Sequence, residues 1–66
     1  KQCQPLTARE LDVLTLLVTG KSNQEIATAL AISEKTVEKH LHSLFVKFDA
    51  TSRVEAAVYA VQQGLV

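Results

Sequence analysis

Apolar residues along this chain recur at intervals of three and four, in four blocks parted by short polar breaks. No segment alternates with period two between turn residues, so the pattern predicts four helices and no strand. The first block is Leu11, Leu14, Leu17 and Val18, widened by Val13 and Leu16. The second is short: Ile26, Ala27 and Leu30. The third runs Val37, Leu41, Leu44, Phe45 and Phe48 as one continuous stripe, with Lys35, Lys39, His42 and Val46 opposite and Glu38 and Ser43 flanking that outer side. The fourth has two apolar sides. Ala56, Ala57 and Ala60 make one, small and flat; Val54, Val58, Val61 and Leu65 make the other.

Start and stop signals bracket these blocks. Thr7-Ala8-Arg9-Glu10 is a capping box, Ser22 with Glu25 is a second, and Ser52 with Glu55 is a third. Leu6 is placed to staple onto the first helix as its N′ residue. Gly20 ends that helix in a left-handed conformation. Ala31-Ile32 is the turn after the second helix, and Ser33 caps the third. Asp49-Ala50-Thr51 breaks the chain, and a fourth helix runs from near Arg53 to near Gly64. The second helix is barely two turns long, so packing must hold it in place. Residues 1–5, with Pro5 disfavouring helix before it, read as the end of an interdomain linker, and 6–66 as one domain. The first residue is not Met, which suggests a piece of a longer protein.

A short helix tightly followed by a longer one with a basic, hydrogen-bonding outer face is the layout of a helix-turn-helix, whose second helix enters the DNA major groove. Bulk properties bound this reading. The 66 residues suffice for one small domain, and 47% apolar content excludes a disordered chain. There is no apolar run long enough to span a membrane, and no signal-peptide pattern at the start. Cys3 is the lone cysteine, which suits a reducing cytoplasm, and two histidines without a second cysteine make no zinc site. Neither nucleophile, base and orienter nor a phosphate loop is evident, so no catalytic residue and no cofactor are assigned. Zero net charge counts against nucleic-acid binding. That objection softens because Glu10, Glu25, Glu34 and Glu55 sit in first turns, where helix dipoles explain them.

The order of motifs resembles the LuxR-type (NarL/FixJ-type) DNA-binding domain. Leu6-Thr7-x-Arg9-Glu10-x-x-Val13-Leu14 is similar to its opening, and Gly20-x-Ser22-Asn23-x-Glu25-Ile26-Ala27 to its second helix. Ile32-Ser33-Glu34-Lys35-Thr36-Val37-x-x-His40 is similar to its recognition helix, and Ser52-Arg53-x-Glu55-Ala56 to its last. The resemblance covers Leu6 to about Leu65. It implies an all-α, four-helix domain with a central helix-turn-helix, at the C-terminus of a bacterial transcription regulator. The ending Ala57 to Leu65 is most similar to the response-regulator branch, in which an N-terminal receiver is phosphorylated. Asp49 stands where the family often has Gly, and Asp tolerates the left-handed region. Glu38 and His42 also depart from the residues usual in the family.

Candidate contacts follow. Lys35 and Thr36, in the first turn of the recognition helix, are placed for phosphate. Asn23 and Gln24, starting the helix that crosses the backbone, are placed for phosphate or are merely good first-turn residues. His40, at the edge of the apolar stripe, is a phosphate contact or a half-buried structural residue. Lys39 and His42 are expected to read bases by their donors, or serve only surface solubility. Glu38 either accepts from cytosine N4 or only balances charge. Glu25 and Arg53 are expected to pair and lock the second helix to the fourth. Val54, Val58, Val61 and Leu65 form the candidate dimerisation stripe, unless they pack inward and the alanine side faces out.

The expectation is sequence-specific binding of double-stranded DNA, at inverted or direct repeats, by a cytoplasmic homodimer. Its N-terminal receiver or sensor domain lies elsewhere in the protein, and RNA polymerase is a further partner. The alternatives are a helix-turn-helix module that docks on protein, and the effector domain of a quorum-type ligand-binding regulator.

Overall fold

A computed structural model describes residues 6–66; the linker assigned to residues 1–5, and Cys3 with it, lie outside the described residues. Among the described residues the elements are four helices and no strand: α1 (Ala8–Val18), α2 (Asn23–Leu30), α3 (Glu34–Phe48) and α4 (Arg53–Gln62).

Each helix begins on a hydroxyl cap. Thr7 Oγ1 accepts from the Glu10 N–H while Glu10 Oε1 accepts from the Thr7 N–H, at 3.1 and 3.0 Å. Ser22 and Glu25 exchange the same pair of bonds at 3.2 and 2.8 Å. Ser33 Oγ accepts from the Thr36 N–H to start α3. The third expected box is only half made. Ser52 Oγ caps the Glu55 N–H, but the Glu55 carboxylate accepts from the Thr51 N–H instead of that of Ser52. The φ of −151° at Ser52, against −73° and −77° at Thr7 and Ser22, turns its N–H away from the carboxylate.

The helix ends follow one rule. A left-handed residue sits at Gly20, Ala31, Asp49 and Gly64, and the next N–H reaches back five residues. Lys21 donates to Leu16 O, Ile32 to Ala27 O, Ala50 to Phe45 O and Leu65 to Ala60 O, at 2.9–3.2 Å. These bonds satisfy carbonyls that the helix ends would otherwise orphan. Gly20 adopts its φ of +91° without steric penalty, as the sequence predicts. Ala31 adopts +58° at a cost of roughly 1 kcal/mol. That cost is offset because Ile32, the next residue, is brought onto the core.

The core is Val13, Leu14 and Leu17 of α1, Ile26 and Ala27 of α2, Val37, Leu41, Leu44 and Phe48 of α3, and Ala56 and Ala60 of α4. Leu6 lies half-buried against it. Helices α1 and α3 form the middle of the domain, α2 packs on both, and α4 packs on both, but α2 and α4 do not pack on each other. Phe48 and Tyr59 tie α3 to α4 with ring centroids 4.7 Å apart. One expectation for α1 is corrected: Leu11 is exposed, and Val13 takes the core position. The buried line of α1 is Glu10, Val13, Leu14 and Leu17, at i, i+3, i+4 and i+7.

Glu10 therefore does more than cap. Only 5% exposed, it accepts from Ser43 Oγ at 2.5 Å and from Lys47 Nζ at 2.6 Å, both on α3. Ser43, expected beside the outer face, faces inward to this carboxylate. Burial pushes the Glu10 carboxyl up. Hydrogen bonds from Lys47, Ser43 and the Thr7 N–H, with the Lys47 charge, outweigh that and hold its pKa at about 2. A depressed pKa stabilises the fold above the unfolded value of about 4.3, and this contribution is lost as pH falls toward 2. Glu10→Gln is expected to flatten this acid limb, with roughly 2 kcal/mol at stake after allowing for screening. Urea midpoints from pH 5 to pH 2 measure it; a variant as acid-sensitive as the wild type would refute the assignment.

Candidate nucleic-acid interface

The turn between α2 and α3 spans three residues, Ala31 to Ser33, and fixes how the two helices project. The buried stripe of α3 is Val37, Leu41, Leu44 and Phe48, with Phe45 half-buried beside it. Helical periodicity then forces Lys35, Glu38, Lys39, His42 and Val46 outward, and all five are exposed. Lys35, Glu38, Lys39 and His42 line one shallow open depression. Glu38 and His42 also border an adjoining cleft walled by Asn23, Leu41, Phe45 and Arg53. The fold thus brings the three expected base readers together with Lys35 and Asn23.

The other expected contacts are placed less centrally. Gln24 is exposed but lies on another side of α2, with Lys21, Glu25, Thr28 and Ala29. His40 is half-buried and borders neither concavity of the α3 outer face. Thr36 is half-buried, its hydroxyl 2.9 Å from that of Ser33, so the capping pair has one hydroxyl hydrogen left to offer. Glu38 forms no ion pair with Lys35 or His42, so its charge stands in the middle of the outer face.

The expected Glu25–Arg53 pair does not form. Glu25 is exposed, and its carboxyl is lowered chiefly by the Ser22 backbone N–H. Its own capping box occupies it. Arg53 instead donates from Nη1 to Asn23 Oδ1 at 2.6 Å and from Nη2 to the Lys21 carbonyl at 2.9 Å. The sequence held one signal for this. A cation at the first position of a helix opposes the dipole, so Arg53 needed a partner outside α4. Val46, 64% exposed, stands at the far end of the outer face.

On α4, Ala56 and Ala60 are fully buried, and Val54, Val58 and Val61 are 72%, 47% and 57% exposed. The alanine side is therefore the docking side. Leu65 departs from the valine row and lies half-buried against the core. No helix among the described residues is long and apolar enough to cross a membrane.

Four helices in this order, with a tight turn presenting a polar-faced third helix, define a helix-turn-helix domain of the DNA-binding kind. The chain belongs to the luxR family of bacterial regulatory proteins, whose model matches residues 4–60. It is 53% identical over 60 residues to the transcriptional regulatory protein YhcZ of Bacillus subtilis, covering 91% of this chain and 28% of that protein. The response regulator ChrA of a heme-sensing two-component system superposes with a TM-score of 0.91 at 41% identity, over 100% of this chain and 33% of ChrA. VqmA of Vibrio cholerae, described among LuxR-type receptors, superposes at 0.90 with 44% identity, over 92% of this chain and 28% of VqmA. The chain thus spans about a third or less of the length of these relatives.

Because Glu38 has no ion-pair partner among the described residues and stands among exposed cations, Glu38→Ala is expected to tighten binding to random duplex several-fold, roughly one like-charge repulsion removed. It is also expected to reduce discrimination at one base pair. Competition binding across single-base variants of a bound duplex tests both; a uniform gain at every sequence would leave only charge balance.

Proposed function

We propose that this domain reads double-stranded DNA in a sequence-specific way and regulates transcription as the output unit of a two-component response regulator. The observation that carries the reading is the outer face of α3. Lys35, Glu38, Lys39 and His42 are exposed together on a helix whose opposite side is fully committed to the core. A major groove about 12 Å wide admits such a helix. Lys39 and His42 supply donors for base edges, Glu38 an acceptor for cytosine N4, and Lys35, Thr36, Asn23, Gln24 and His40 candidate phosphate contacts. Zero net charge predicts a shallow salt slope and modest affinity for one domain.

Likeness to the response regulator ChrA supports an N-terminal receiver whose phosphorylation controls this domain in a cytoplasmic phosphorelay. The comparable likeness to VqmA favours a second reading, a ligand-binding sensor in the receiver's place. In either case two copies would meet through Val54, Val58 and Val61, with Leu65 at the margin, and read paired half-sites before RNA polymerase.

Amide shifts titrated with a mixed-sequence duplex at low salt should cluster at Asn23–Gln24 and Lys35–His42 and fade as salt rises. No movement there at high DNA excess would leave a protein-docking module as the better reading. For the dimer, Val58→Arg is expected to leave folding intact and to weaken binding to a two-half-site duplex about ten-fold, with single half-sites unaffected. Sedimentation on DNA and paired Kd values decide it; equal affinity for both proteins would remove the valine row from the assembly.

A further inference from the structure

Helices α2 and α4 do not pack on each other, yet one side chain spans the gap between their first turns. Arg53 is the first residue of α4, and its guanidinium holds Asn23, the first residue of α2, together with the Lys21 carbonyl two residues earlier. A guanidinium has donors only, so the Asn23 amide must turn its oxygen toward Arg53. The amide NH2 then projects on the other side, and no described residue accepts from it. Asn23 and Arg53 both line the cleft that opens beside Glu38 and His42. Planar, two-pronged gripping fixes orientation as well as distance.

We propose that Arg53 is a positioning residue for the DNA contact of Asn23: it fixes the amide so that its NH2 is presented to a backbone phosphate, and it acts through Asn23 without touching DNA. The inference rests on the DNA-binding reading above. It gives that reading a device that sets the amide's orientation before DNA arrives, so the contact does not require the half-buried Asn23 side chain to be ordered at binding. It also makes the first turn of α4 part of the interface at one remove.

The test is a double-mutant cycle read as Kd for one duplex at fixed low salt, with folding checked by circular dichroism. Arg53→Lys keeps the charge but replaces the fork with a single ammonium. Arg53→Lys and Asn23→Ala are each expected to weaken binding about five-fold, and the double variant to be no weaker than Asn23→Ala alone. The Asn23 side-chain amide signals of the wild-type domain should shift on adding DNA, and shift less in Arg53→Lys. If Arg53→Lys costs as much without Asn23 as with it, Arg53 acts by its own contact or through the fold, and the proposal is overturned. The same follows if the Asn23 amide stays still while the backbone amides of α3 move, and the DNA reading then survives. If neither moves and Lys39→Ala changes nothing, the DNA reading fails and the positioning role fails with it.

Discussion

A carboxylate taken out of water must be met on all sides, and in this domain that requirement falls on Glu10. Its oxygens accept from the N-cap N–H of its own helix and from Ser43 and Lys47 of α3. One residue therefore sets where α1 begins and how α1 lies along α3. The Glu10 side chain is only 7% exposed, so loss of Lys47 would leave a buried carboxylate without its cation, which costs more than an ordinary polar contact. Apolar packing alone would tolerate some sliding of α1 along α3, because Val13, Leu14 and Leu17 are interchangeable in kind. The charge network is not, since its three donors converge on one position. The register of the central helix pair, and with it the direction in which α3 presents its outer face, follows from this point.

The second constraint is length. Helices of 8 to 15 residues are marginal alone, so their ends must be specified by chemistry rather than by propensity. Every one begins on a serine or threonine and ends on a left-handed residue with a backward bond. The turn between α2 and α3 shows what this achieves. Ala31 accepts strain, Ile32 is thereby carried onto the core, and Ser33 is free to start α3 at once. Helix α3 is aimed by three consecutive residues, none of which lines the depression on its outer face.

Local chemistry was the legible part. The four helices, their serine and threonine N-caps, the Gly20 and Asp49 ends, and the buried stripe of α3 all follow from spacing and residue type. Where the reading departs, a distant partner decided most cases, and the local backbone at Ser52 decided one, sending the Glu55 carboxylate to the Thr51 N–H. Periodicity cannot tell Leu11 from Val13 at the edge of a face, and which one is buried depends on where Glu10 is drawn. Ser43 looked peripheral because its partner is 33 residues away. Glu25 and Arg53 carry opposite charges on the right helices, but Glu25 was already engaged by its own cap, and Arg53 took the neutral amide beside it. Of the site, the outer face was visible as a pattern. The support behind it was not, since hydrogen bonds between first turns leave no period in a sequence.

Helix α4 separates two jobs that most short helices must combine. Its inward side is built from alanines, which set a close approach to α1 and α3 and leave no room for a larger side chain. Its outward valines touch none of that packing. Substitutions on the two sides should therefore fall under unlike selection: the alanines are held by the core, while the valine row is free of it and answers only to the partner proposed above. Paralogous regulators in one cell could then diverge in whom they pair with while the DNA-reading body stays the same. On the dimer contact proposed above, the thinness of α4's buried side would give the domain a surface on which partner choice evolves independently of the fold.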